Sequence, residues 1–362
     1  MQRQFLERGF LPPAEPCDHF PPGSELAVLD RWGHDLPSLL LDSGFRQFAR
    51  ELRIPPWSGE ATLENLPYMR LYYVRLGFLA SAYVNQVGEP PATSLPANIA
   101  VPLVDICRRL DRPPILSYDG YALYNWRRFQ PDGPIALGNI DTLQNFVHLY
   151  DEHWFILVHV EIEALGAEIL SGIDQAATAL MADDAVGCNQ ALSRIAAALW
   201  RQVAVLRRIP QRMDPALYYR TFRPYIRFFE NVVYEGVDQQ QFDFRGETGA
   251  QSSIVPALAA FLKIPHAPTQ LTDHLADMRQ FMPREHRALL AEIASLPPVR
   301  PLAEREPYND LLEALATFRE VHFQWAIRYI QQYVSDPRGT GGTPFMRWLS
   351  QLIDETRAQQ IA

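Results

Sequence analysis

Long runs of apolar residues spaced three and four apart constrain this chain more than any other feature. "RLYYVRLGFLASAYVNQV" (Arg70 to Val87), "DEHWFILVHVEIEALGAEILSGI" (Asp151 to Ile173) and "NQALSRIAAALWRQVAVLRRI" (Asn189 to Ile209) each repeat at the period of an α-helix. No long run alternates as a half-buried strand does. The 30 prolines fall mostly between the helical runs, as in "EPPATSLPANIAVP" and "FQPDGPIALGN", where they end helices and mark connectors. An all-α protein is expected. The second connector, 131–139, sets the expected boundary between a small N-terminal helical domain, 1–135, and a larger helical domain, 136–362. With 362 residues, 48% of them hydrophobic, the chain can bury one large core or two linked ones.

A formal net charge of -9 argues against nonspecific binding to nucleic acid or to an anionic membrane. No apolar run is long enough to span a bilayer, and "MQRQFLERGFLPPAEPCDHF" has no uninterrupted apolar stretch of the kind a secretory signal needs. A soluble cytoplasmic protein is expected. Cys17, Cys107 and Cys188 are odd in number and far apart, so they offer neither a disulfide framework nor a C-x-x-C pair. Lys263 is the only lysine, and "RGTGGT" (Arg338 to Thr343) is followed by Pro344, which excludes a Walker A loop.

One helix carries an unusual core residue. Leu311, Leu315, Phe318, His322, Trp325 and Tyr329 follow at steps of four, three, four, three and four, which trace one inward stripe with a histidine in its middle. A buried neutral histidine with both nitrogens hydrogen-bonded is one reading. The other is an axial ligand of b-type haem. Arg319, one turn earlier, suits a propionate, and Phe318 and Trp325 offer flat apolar walls. There is no C-x-x-C-H for thioether attachment, and no H-E-x-x-H or Cys/His cluster for zinc.

With this helix, "FREVHFQWAIRYI", stand "LPANIAVPLVDICRRLDRPPILSYDGYALYNW" (Leu95 to Trp126), "VVYEG" (Val232 to Gly236), "GETGAQSSIVPALAAFLKI" (Gly246 to Ile264), "MRQFMPREHRALL" (Met278 to Leu290) and "RGTGGTPFMRWL". In this order they resemble the indoleamine 2,3-dioxygenase family of haem dioxygenases over nearly the whole chain. The resemblance implies an all-helical two-domain fold, haem b held mainly by the larger domain, and His322 as proximal iron ligand. It implies Arg223 for the substrate carboxylate, a task suited to a forked guanidinium. It also implies Tyr218 and Tyr219 as pocket walls where the family has phenylalanine, and Tyr118 on the distal side. Thr248 and Gly249 match a loop at the haem edge. Thr340, with Gly341 and Gly342, matches a mobile loop over the substrate amine.

The sequence departs from the family on the distal helix. Aligning "VEI" places Leu157 where well-studied members have serine, and His153 where they have phenylalanine. His153 shares a face with Leu157, so it either reaches the distal pocket or is an ordinary helix-end histidine. His159 points about 200° away from Leu157. Ala259 stands where an acidic residue usually organises the propionate–arginine network.

The activity implied is insertion of both atoms of O₂ across the indole C2–C3 bond of L-tryptophan or a related indole, giving an N-formylkynurenine-type product, with an electron donor to reduce ferric haem. Monooxygenation or rearrangement of a tryptophan-derived substrate is the alternative, and a non-catalytic haem sensor is a third.

Overall fold

The computed structural model describes residues 1–237, 242–268, 270–333 and 346–362. Thr340, Gly341 and Gly342 therefore lie outside the described residues. The fold is all-α, as expected. Its strands are short: Ser94–Leu95 pairs parallel with Phe229–Tyr234, which pairs antiparallel with Phe242–Phe244. Trp126–Arg128 pairs antiparallel with Ile140–Thr142, so the proline-rich connector at 131–139 is the loop of a hairpin.

The frame is built from four helices: α1 (Leu66–Val84), α2 (Tyr150–Met181), α3 (Ala185–Leu206) and α4 (Arg305–Tyr329). α2 and α3 turn back on each other through three residues. Asp184 caps α3 by accepting the Gly187 N–H at 2.9 Å. Their close approach depends on Gly172, where a Cβ would stand 2.4 Å from Ile195 Cγ1. The described part of the last helix, α5 (Met346–Arg357), packs against α4.

Two hydrophobic cores result. The first gathers α1 with Leu95 to Trp126, one side of α2 (Ile156, Leu157, Val160) and, from much later in the chain, Tyr225 to Tyr234, Met278 and Phe281. The second gathers the other side of α2 with α3, Ile254 to Ile264 and α4, and takes Phe5 and Phe10 from the N-terminus. Helix α2 is thus the wall between them. Among the described residues, no helix is long and apolar enough to cross a membrane.

Candidate functional site

The predicted stripe on α4 is buried at both ends and open in the middle. Leu311, Leu315 and Tyr329 are buried, Phe318 and Trp325 are half-buried, and His322 between them retains exposed surface. Yet burial lowers the His322 pKa to about 4, and the imidazole of His159 lowers it further. His322 thus keeps surface that protein atoms leave uncovered, at a place dense enough in protein atoms to desolvate it. It presents a neutral imidazole there, the form that binds iron. The rotation of α4 that aims it is fixed from several sides. Trp325 Nε1 donates to the Leu206 carbonyl at 3.1 Å, and the Tyr329 hydroxyl donates to the Met213 carbonyl at 2.9 Å. Arg319, 6% exposed, donates through one terminal nitrogen to the Leu352 carbonyl at 2.8 Å and to the Thr356 hydroxyl, both on α5. Its Nε is buried without a hydrogen bond.

Across from His322, α2 presents Phe155, His159 and Glu163 on one face, at steps of four. His159 Nδ1 lies 2.7 Å from the Phe155 carbonyl. A carbonyl only accepts, so Nδ1 carries the proton and Nε2 is left as a bare acceptor in the neutral ring. Burial lowers the His159 pKa, which favours that neutral form. The ring sits edge-on to Phe155, with centroids 4.6 Å apart, and to Tyr118 at 5.8 Å. The Tyr118 hydroxyl donates to Glu163 Oε1 at 2.8 Å, and the Ser252 hydroxyl donates to the same oxygen at 2.6 Å. Burial raises the Glu163 pKa to about 7 against those two donors, and Oε2 is left unbonded.

The other two distal candidates are placed elsewhere. His153 lies at the outer end of α2, with Nδ1 2.9 Å from both Asp141 Oδ1 and Thr142 Oγ1 and its ring stacked on Tyr150. Leu157 is packed in the first core, 1% exposed. The face toward His322 is therefore two residues out of step with the register read from "VEI".

Two π-helical turns complete the walls, Asp119–Leu123 and Tyr218–Phe222. Such turns widen the helix by one residue and re-aim side chains, and they recur at functional sites. The first follows Tyr118. The second carries Tyr218 and Tyr219 and ends at Arg223. Tyr218 packs on Phe155 at 5.5 Å. Burial pushes its pKa up to about 12; Arg223 draws it back, and Glu247 opposes Arg223. Arg223 is 5% exposed, and its guanidinium lies 5.1 Å from the Tyr219 ring centre.

The loop 246–253 closes this arrangement. Gln251 ties it to the distal wall, accepting the Tyr118 N–H at 2.9 Å and donating to the Gly246 carbonyl at 3.0 Å. Thr248 caps the next turn by accepting the Ala250 N–H. A Cβ added at Gly249 would meet nothing within 4 Å among the described residues, so this loop faces open space where Gly249 sits. Sequence reasoning passed over Gln251, Glu163 and Glu247. The only signal they offered was proximity to Thr248 and Gly249 or helical spacing from Phe155. An open groove lined by Trp57, Val101, Arg108 and Arg287 shares no residue with this site.

The match to known proteins agrees with this geometry. The family model described as indoleamine 2,3-dioxygenase matches residues 5–337. The chain is 30% identical to indoleamine 2,3-dioxygenase 2 of Homo sapiens, over 97% of this chain and 92% of that protein. It is 29% identical to indoleamine 2,3-dioxygenase 1 of Rattus norvegicus, over 89% and 86%. It is also 28% identical to a 6-hydroxytryptophan 2,3-dioxygenase of Fusarium equiseti, over 90% and 83%. A helical architecture and a match along nearly the full length lead to the same assignment: the chain belongs to the indoleamine 2,3-dioxygenase family and is an oxidoreductase of that class.

Proposed function

We propose that this enzyme binds haem b through His322 and cleaves the indole C2–C3 bond of L-tryptophan or of a ring-substituted relative, such as the hydroxytryptophan for which the Fusarium relative is named. The observation that carries the reading is the desolvated, neutral His322 imidazole with uncovered surface, near enough to His159 to feel its charge.

The residues fit the cofactor. Phe318 and Trp325 flank the ligand with flat apolar surface, and the buried, unbonded Nε of Arg319 is a donor left over for an anionic propionate. When bound, the iron brings O₂ to the electron-rich indole and supplies the redox chemistry, with an external electron donor needed to hold it ferrous. The protein's own contribution is orientation. Arg223 takes the substrate carboxylate in a bidentate grip, with Tyr219 beneath the guanidinium. His159 Nε2, the bare acceptor, takes the indole N–H and so aims the reacting edge of the ring. Tyr118 and Tyr218 form the side walls, and Gly249 leaves room where a side chain would intrude. Thr340 closes the amine end, by analogy with the family's mobile loop.

The test is anaerobic reduction of the haem-loaded protein, addition of L-tryptophan and then isotopically labelled O₂. A product carrying two labelled oxygens is expected, and none from His322→Ala, which also loses the haem absorption band. One labelled oxygen would favour monooxygenation. A haem band that persists unchanged in His322→Ala overturns the ligand assignment.

A further inference from the structure

Three glutamates are buried around the pocket walls, and they differ in what satisfies them. Glu152 accepts the N–H groups of Phe146 and Val147 and the Tyr121 hydroxyl. Glu163 accepts two hydroxyls, from Tyr118 and Ser252. Glu247 is 3% exposed, and its carboxyl makes no hydrogen bond or ion pair with any described residue. Its position is not accidental slack in a loop. The Glu247 N–H donates to the Ile226 carbonyl at 3.0 Å. A Cβ on the preceding Gly246 would stand 2.4 Å from the same carbonyl. The backbone is locked, the side chain is buried, and Tyr118, Tyr121 and Tyr218 each lie near enough to feel its charge. A buried carboxyl with no donor among the described residues is costly to hold, and native structures resolve such a cost with a partner group, a ligand or by function.

We propose that Glu247 is a specificity residue that hydrogen-bonds a donor group, a hydroxyl or an amine, on the benzo ring of the indole substrate. This rests on the indole-cleaving reading given above. The ring end is the end where His159 would take the indole N–H, and Glu247 stands on the loop that Gln251 ties to Tyr118 beside that histidine. Tyr118 and Tyr121 belong to the wall that meets His159 and Phe155, whereas the carboxylate-binding Arg223 lies over Tyr219. The alternative partner, the substrate's α-ammonium, lies two bonds from the carboxylate that Arg223 holds. A Glu247 close enough to reach it would feel the guanidinium too, and among the described residues burial is what raises its pKa, with no contribution from Arg223. Burial pushes that pKa up to about 8, so near neutral pH the group is largely a carboxylic acid, suited to a neutral hydroxyl that can both give and accept.

The experiment measures kcat/KM of the holoenzyme for L-tryptophan and for the benzo-ring hydroxytryptophans, in the native protein and in Glu247→Gln and Glu247→Gly. The native enzyme should prefer one hydroxytryptophan isomer over L-tryptophan. That preference should fall by about tenfold or more in Glu247→Gly, because a site built to bond a polar group discriminates strongly. Glu247→Gln should keep part of it, since an amide can still bond a hydroxyl. Perturbation of the haem spectrum by each substrate provides a second readout that does not need turnover. Native enzyme that cleaves L-tryptophan and every hydroxytryptophan equally, with ratios unmoved by either variant, overturns the role of Glu247 and leaves the dioxygenase reading standing. Native holoenzyme that neither binds nor cleaves any of these indoles overturns both.

Discussion

The imidazole of His322 and the carboxyl of Glu247 pull the stability of the protein in opposite directions as pH changes. Burial lowers the pKa of His322 to about 4 and of His286 to about 3, from an ordinary value of 6.5. Between those values the unfolded chain takes up protons that the folded chain refuses, so stability is lost as pH falls from 6.5 toward 4. Glu152 and Glu163 are raised to about 7 and Glu247 to about 8, from 4.5. Here the folded chain keeps protons that the unfolded chain has released, so stability is complete below 4.5 and is lost as pH rises through 7 to 8. Thermal melts of the haem-free protein should therefore decline on both sides of a mildly acidic maximum. Glu247→Gln should flatten only the alkaline limb, by on the order of a few kcal/mol at most, since each pKa unit is worth ~1.4 kcal/mol. Identical alkaline limbs in the two proteins would show that Glu247 is not buried uncharged. Little of this was legible beforehand. A glutamate in "GETGAQSS" reads as a solvated loop residue, and only its burial in the folded protein reveals otherwise.

Helices conveyed more through their period than through their motifs. The stripe from Leu311 to Tyr329 was readable because steps of three and four force one face, and that face does bury Leu311, Leu315 and Tyr329 in the second core with Phe318 and Trp325 packed against it. The distal helix was harder to read. In "LVHVEIEAL" Glu161 and Glu163 stand two residues apart, and taking one or the other as the inward position moves the inward face by two residues. Only Glu163 is buried and bonded to Tyr118, which settles which face meets the pocket. The π-helical turns at Asp119–Leu123 and Tyr218–Phe222 have no sequence signature of that kind. Two glycines give a test at this scale. Gly9, at φ +62°, lies against α2 so tightly that a Cβ would be 2.5 Å from the Glu163 carbonyl and 2.8 Å from the Ala167 nitrogen. Gly9→Ala should cost about 2 kcal/mol or more in denaturant titrations, because both the backbone conformation and the contact resist it. Gly249→Ala meets no neighbour, so it should alter stability by less than ~0.5 kcal/mol while raising KM for the indole substrate, whose space it enters. The reverse ranking of the two stabilities would contradict the loop geometry.

For the whole molecule, a boundary near residue 135 is what the sequence leads one to expect, and each core draws residues from both sides of it. The first core draws on Phe146, Ile156, Leu157 and Val160, and on Tyr225, Ile226, Phe229, Val232, Tyr234, Met278 and Phe281. The second takes Phe5 and Phe10 from the opposite end, where they pack around His286 at ring distances of 6.1 and 4.8 Å. An ion pair between Arg70 on α1 and Glu285, 2.5 Å apart, joins the two at the same place. A segment 1–135 on its own would leave the partners of α1 and of Leu95 to Trp126 unsatisfied, with large apolar faces in water. Expressed alone it should show no cooperative melt and should bind a hydrophobic dye strongly, whereas co-expression with 136–362 should restore a single cooperative transition. A sharp, reversible transition from 1–135 alone would mean that the small unit owns its core. In that case the late segments at 225–234 and 278–281 would be cladding, and the pocket formed by α2, α4 and the loop at 246–253 could be loosened without unfolding the N-terminal half.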